Sequence, residues 1–201
     1  MGAVVIVSGL PGVGKTTVVD KAIEMLRGEG FRVGIVNYGT VMLETAKQLG
    51  WVEHRDEMRK LKVSQQLDLQ KEAAKKISEL SREYDILLVD THLFISTPRG
   101  KWPGLSVNNL DYLSIAQIIV VEASPDEILK RRMSDKSRYR DIADVESLRE
   151  DIIYNRMLAA SLSVQTSCPV AYIQNREGRA DEAARDLYSI LARLVRDFEH
   201  T

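Results

Sequence analysis

The stretch Ala3-Val4-Val5-Ile6-Val7-Ser8-Gly9-Leu10-Pro11-Gly12-Val13-Gly14-Lys15-Thr16 decides how the rest of the chain is read. Its first five residues are apolar on successive positions, as in a strand covered on both faces. Residues 9–16 match G-x-x-x-x-G-K-[ST] in full. Beyond them Val18, Val19, Ala22, Ile23 and Leu26 recur at helical spacing. Strand, glycine loop and helix, in that order, is the setting in which the motif makes chemical sense. Glycines let successive backbone N–H groups turn inward around a phosphate chain, and the helix starting near Lys15 adds the positive end of its dipole. The Lys15 ammonium is expected to reach the β- and γ-phosphates, and the Thr16 hydroxyl to ligand Mg²⁺. Gly9, Leu10, Pro11, Gly12, Val13 and Gly14 complete the expected loop for a nucleoside triphosphate.

Working outward, four more short runs rich in Val and Ile follow: Val33–Asn37, Ile86–Asp90, 118–122 and Val170–Gln174. Helical patterns separate them. Leu69, Ala73, Ile77, Leu80 and Tyr84 form one stripe, and Ala183, Leu187, Ile190, Leu191, Leu194 and Phe198 another. Ser124-Pro125-Asp126-Glu127 carries a capping hydroxyl, Pro at the first helical position and Glu three residues after the cap. The alternation predicts an α/β fold with a five-stranded parallel sheet and helices on both faces. Two segments resist it. Residues 96–109 are rich in Gly, Pro and Asn, and residues 134–143 are short, polar and basic; long irregular segments in a compact domain are usually functional.

Composition narrows the classes. The 201 residues are expected to form a single domain. The 28 Lys+Arg against 29 Asp+Glu give a net charge of −1, which argues against a whole-surface attraction to nucleic acid or anionic membrane. The single cysteine, Cys168, excludes an internal disulfide framework and a four-cysteine zinc site. No secretory pattern opens the chain and no apolar run nears a membrane span, so a cytoplasmic protein is expected.

Asp90 ends an apolar strand, and in doubly wound sheets that end faces the ligand crevice. It is placed to hold Mg²⁺ or its waters. Three classes of nucleotide protein then compete. A GTPase-type switch needs a guanine-reading N-K-x-D element, which does not occur here. An ATPase module has little room for further domains, although homo-oligomers stay open. A kinase has positive support in Arg131, Arg132, Lys136, Arg138, Arg140, Arg149 and Arg156, because phosphoryl transfer is catalysed mostly by positioning and cationic stabilisation. The basic segment at 134–143 reads as a lid that excludes water; a solvated turn with salt bridges is the alternative. A second cluster, Arg55, Arg59, Lys60 and Lys62, follows Asn37-Tyr38-Gly39-Thr40 and reads equally as an acceptor-phosphate site or a solvated helix face. A sugar-type hydroxyl acceptor needs a general base, whereas a nucleotide phosphate is already an anion. Apart from Asp90 no isolated carboxylate is aimed at the site, which favours a nucleoside-monophosphate acceptor. His92 lines the acceptor site in this reading, with a structural bond to backbone as the alternative.

These residues together resemble the archaeal-type adenylate kinases over nearly the whole chain. The matching elements are residues 9–17, Asn37-Tyr38-Gly39-Thr40-Val41-Met42, Arg55-Asp56-Glu57-Met58-Arg59, Asp90-Thr91-His92, Thr97-Pro98, Pro103-Gly104-Leu105, Arg138-Tyr139-Arg140-Asp141, Asn155-Arg156 and Asn175-Arg176-Glu177-Gly178. The resemblance implies Mg²⁺-dependent transfer of the ATP γ-phosphoryl group to AMP, the P-loop NTPase three-layer sandwich, a short zinc-free lid and a homotrimer. It implies an AMP-binding helical insert at about 38–68 and a lid at about 134–143. By position Lys15, Arg138, Arg140 and Arg156 look catalytic, and Thr40, Arg55, Arg59 and His92 look like acceptor-site residues. Thr17 extends the phosphate loop, Thr16 and Asp90 look like the metal side, and residues 175–178, Asn175 and Gly178 among them, lie beside the ATP adenine. Another nucleoside-monophosphate or small-molecule kinase is the runner-up. The chain departs from the family pattern at Glu150-Asp151, at Ser106 and at Arg99.

Overall fold

A computed structural model describes residues 2–97, 100–134 and 144–199. Five parallel strands form one sheet: β1 (Ala3–Ser8), β2 (Val33–Asn37), β3 (Ile86–Asp90), β6 (Ile115–Glu122) and β7 (Val170–Gln174), in the order β2-β3-β1-β6-β7. The side-chain period of two sorts β1 between two cores. Ala3, Val5 and Val7 face the cluster built with α1 (Lys15–Gly28) and α6 (Ala180–Glu199), through Val18, Ala22, Leu26, Leu187 and Leu191. Val4 and Ile6 face the opposite cluster. There α2 (Tyr38–Gln48), α3 (Val63–Leu80) and α5 (Val145–Thr166) supply Tyr38, Val41, Ala73, Ile77, Ala159 and Leu162. Residues such as Ile6 and Leu88 are fully buried, each contributing about 1.5–3 kcal/mol of burial. This is the expected three-layer sandwich, and its continuous apolar strands reflect cover on both faces.

The chain crosses outward from β1 to β2, returns to β3, and crosses to β6 on the far side of β1. The reversal point lies at the carboxyl end of β1, where such sheets open a ligand crevice. The phosphate loop leaves β1 there. α4 (Pro125–Ser134) starts from the cap read in the sequence: the Glu127 carboxylate accepts from the Ser124 backbone N–H at 2.8 Å and from its hydroxyl at 2.7 Å.

Residues 38–68 comprise α2, a short 3-10 turn at Arg55–Lys60 and the start of α3; Ala46 and Val52 form a small cluster with Leu69, just beyond in α3. The irregular segment at 96–109 holds structure that the sequence pattern hides. β4 (Phe94–Thr97) and β5 (Gly100–Pro103) form an antiparallel hairpin outside the main sheet, pairing Phe94 with Pro103 and Thr97 with Gly100. Four-residue strands are too short for periodicity to register. The Lys101 ammonium pairs with Asp151 and lies 4.9 Å from the ring centroids of Phe94 and Tyr154, which ties the hairpin to α5. Of the lid expected at about 134–143, Ser134 ends α4 and residues 135–143 lie outside the described residues, as do Pro98 and Arg99.

Candidate active site

A cleft of about 730 Å³ opens at the carboxyl ends of β1, β2 and β3. One wall is the phosphate loop. Gly14 adopts φ +80°, and a Cβ there would stand 2.4 Å from the Asn175 amide nitrogen. Glycine is therefore required both by conformation and by contact. That nitrogen donates to the Val13 carbonyl at 2.8 Å, so Asn175, from the turn after β7, holds the loop from below. Gly178 also takes a positive φ, +70°, beyond it. Thr16 and Thr17 are exposed at the start of α1, and Thr16 lines the cleft with Leu10, Pro11 and Gly12.

Lys15 crosses the cleft floor. Its ammonium pairs with Asp90 and donates to the Thr91 carbonyl at 3.2 Å. The other oxygen of Asp90 accepts from the Asn37 amide at 2.8 Å. Asn37 and Asp90 are register partners at the ends of β2 and β3, which explains their meeting across 53 residues of sequence. The Asn37 side-chain oxygen Oδ1 caps α2, accepting from Thr40 N–H at 3.0 Å and from its hydroxyl at 3.2 Å.

The opposite wall carries Arg55 and His92. Arg55 packs over Gly39, where a Cβ would stand 2.6 Å from a guanidinium nitrogen. Among the described residues no acid neutralises Arg55. The His92 ring lines the cleft, and its Nδ1 lies 3.1 Å from the Gly9 carbonyl. A carbonyl only accepts, so Nδ1 carries the proton and Nε2 is left as an acceptor. Burial lowers the His92 pKa, and the nearby Lys15 charge lowers it further, so the ring is neutral at pH 7. Gly104 lies against the His92 backbone, its would-be Cβ 1.7 Å from the carbonyl oxygen, which leaves no room for a side chain.

Two arginines of α4 close the third side. Arg131 donates to the Val13 carbonyl and to the Asn175 carbonyl, each at 3.0 Å, and Arg132 donates to the Pro11 carbonyl at 2.8 Å. Arg131 also approaches Glu177 at 3.4 Å. The sequence flagged both as part of a basic run without assigning them to the loop. Their signal was position, about two turns into a capped helix after β6.

Arg156 lies elsewhere. It joins a second cavity, of about 640 Å³, behind α4. Its guanidinium forks onto Glu122 at 2.7 and 2.6 Å and stacks 5.5 Å from the Tyr172 ring centroid. Glu122, only 5% exposed at the end of β6, also accepts from the Gln174 amide at 2.7 Å. This pairing raises the Arg156 pKa. The structure thus brings Lys15, Thr16, Asp90, Arg55 and His92 into one cleft and leaves Arg156 outside its lining. Arg59 is exposed on the 3-10 turn and does not line the cleft, and Thr40 stands one turn into α2. Arg138 and Arg140 lie outside the described residues. Asn37 and Glu122 carried no assignment in the sequence; a polar residue ending a strand beside Asp90 was the available cue.

A strand feeding a phosphate loop, with arginines converging on it at a topological switch point, defines the P-loop kinase fold. Among solved structures the shikimate kinase of Bacteroides thetaiotaomicron superposes with a TM-score of 0.58 at 12% identity, covering 94% of this chain and 98% of that one; this likeness is one of fold. A family model described as an AAA domain matches residues 8–149. The chain is 47% identical over 188 residues to the adenylate kinase of Methanocaldococcus jannaschii, covering 94% of this chain and 97% of that protein. It is 41% identical over 195 residues to the adenylate kinase of Methanopyrus kandleri, covering 96% and 100%. The chain belongs to the adenylate kinase family in its archaeal form.

Proposed function

We propose that the protein transfers the γ-phosphoryl group of ATP reversibly to AMP, giving two ADP. The observation that carries this reading is a single cleft with two cationic walls, the phosphate loop with Lys15 on one side and Arg55 on the other. The loop N–H groups and Lys15 hold the donor phosphates, and the α4 arginines brace the loop by its own carbonyls. Arg55 and the amino end of α2, with Thr40, meet the acceptor phosphate. That phosphate attacks as an anion, so no side chain has to remove a proton. The cations then stabilise charge spread over the moving group. Arg138 and Arg140 of the lid belong to this proposal as further clamps, Arg59 as a remote acceptor-side cation, and Asn175 with Gly178 as the adenine side.

Thr16 and Asp90 offer a hydroxyl and a carboxylate oxygen to the cleft. Such hard donors suit Mg²⁺, which is usually held by one or two protein oxygens plus substrate phosphates. Among the described residues no group of three or more His, Cys, Asp or Glu could hold a metal unaided. When bound, Mg²⁺ neutralises phosphate charge. A cytoplasmic homotrimer belongs to the same proposal, on family resemblance; no helix among the described residues is long and apolar enough to cross a membrane.

A coupled assay offering AMP, CMP, UMP, GMP and shikimate tests the reading. Preferred turnover of AMP is expected. Inactivity with AMP, or steady phosphate release without any acceptor, overturns it.

A further inference from the structure

We propose that Asn37 is a positioning residue that ties the metal side of the cleft to its acceptor side. One amide makes three bonds in two directions. Its Nδ2 donates to Asp90 Oδ2 at 2.8 Å, and its Oδ1 accepts from the N–H and the hydroxyl of Thr40 at 3.0 and 3.2 Å. The amide orientation follows from chemistry, because the Thr40 backbone N–H only donates and so meets Oδ1, which leaves Nδ2 facing Asp90. Asn37 therefore caps α2 and holds one Asp90 oxygen, while the other, Oδ1, is the oxygen that meets the Lys15 cation. Asp90 is thereby presented to cations through a fixed oxygen, and its carboxylate moves with the first turn of α2.

The residue type matters here. Ser, Thr, Asp and Asn all cap helices well. Of these four, only Asn combines an acceptor with an N–H donor on opposite branches of one planar group. A cap alone did not require asparagine at this strand end; the bond to Asp90 does. Losing a hydrogen-bonded support of this kind typically costs about 10- to 100-fold in metal affinity or activity.

This inference rests on the proposed role of Asp90 toward Mg²⁺, and the test separates the two. Mn²⁺ binding in the presence of ATP, read by electron paramagnetic resonance without turnover, is measured for the full chain and for Asn37→Ser, Asn37→Ala and Asp90→Asn. Melting temperature, the half-saturating Mg²⁺ concentration and the KM for AMP are recorded alongside. Asn37→Ser keeps a capping oxygen, so melting and the AMP KM stay near parent values. Its metal affinity weakens about tenfold. Asn37→Ala shows the same metal defect together with a lower melting temperature and a raised AMP KM. If Asp90→Asn weakens Mn²⁺ binding while Asn37→Ser leaves it at the parent value, the positioning role is wrong. If Asp90→Asn itself leaves Mn²⁺ binding unchanged, the metal reading of Asp90 is wrong and the inference falls with it.

Discussion

Two cavities flank α4, both lined with arginine, and they use it in opposite ways. Behind the helix, Arg156 is forked onto the buried Glu122, and Arg149 pairs with Glu146 at 3.1 Å. In front, Arg131 bonds to loop carbonyls and also approaches Glu177 at 3.4 Å, Arg132 bonds to the Pro11 carbonyl, and Arg55 has no acid on it among the described residues. A carboxylate partner cancels a guanidinium charge, whereas a carbonyl orients the group and leaves the charge in place. Arg55 therefore keeps its charge for an anionic ligand in the front cleft, whereas the rear network ties α5 to β6 through Arg156 and Glu122, and to β7 through Gln174. Counting arginines along the chain cannot separate the two groups; their partners do.

The largest expected effect that sharpens this contrast is at Lys15. Lys15→Ala removes the cation at the centre of the front cleft and is expected to reduce kcat by about 10²–10³. Circular dichroism should remain that of the parent. Near-normal turnover in this variant would falsify the assignment of the phosphate loop.

Next comes Arg55. Losing a charge-assisted bond to the acceptor phosphate removes about 1.5–3 kcal/mol, so Arg55→Ala should raise the KM for AMP by about 10- to 100-fold. The KM for ATP should barely change. A change confined to ATP would exchange the two walls of the cleft.

The rear cavity gives the contrast its sharpest challenge. Glu122→Gln keeps the shape and the acceptor oxygen but removes the charge facing Arg156. With the guanidinium half exposed, the expected cost is about 1–2 kcal/mol of stability, read from denaturant melts, with kcat lowered only modestly. Should Arg156→Ala instead collapse kcat by orders of magnitude at unchanged stability, Arg156 leaves Glu122 to act on phosphate during turnover. The division between the cavities would then be broken.

The smallest effect concerns pH. His92 has a folded pKa below its ordinary 6.5, so below about 6.5 the unfolded chain takes up the proton more readily than the folded one. Stability present above that pH is lost progressively as pH falls toward the folded pKa. His92→Asn retains a donor for the Gly9 carbonyl and should flatten this part of the stability–pH curve. A curve identical to the parent's would show that His92 does not titrate differently on folding.

Much of the fold was legible because two-sided burial writes itself into composition. Runs such as residues 86–89 are apolar on successive positions only when both faces of a sheet are covered, and the Ser124–Glu127 box announced α4. The hairpin of β4 and β5 was hidden, since its strands are four residues long and lean on α5 through Lys101. In the site, the phosphate loop could be read because it is contiguous in the chain. Asn37 could not, because its partner Asp90 is 53 residues away and becomes a neighbour only through the register of β2 and β3. Lys101 with Asp151 and Arg156 with Glu122 were illegible for the same reason.

The sequence by itself determined the doubly covered sheet, the phosphate loop with Lys15 and Thr16, and the placement of Asp90 at a strand end. Each is local, resting on residue type and spacing along one element. The tertiary structure decided which arginines line the phosphate-loop cleft and which pair with Glu122, and how Asn37 joins Asp90 to α2. Those outcomes depend on strand order and helix packing, which bring distant residues within bonding distance and are written in no single segment.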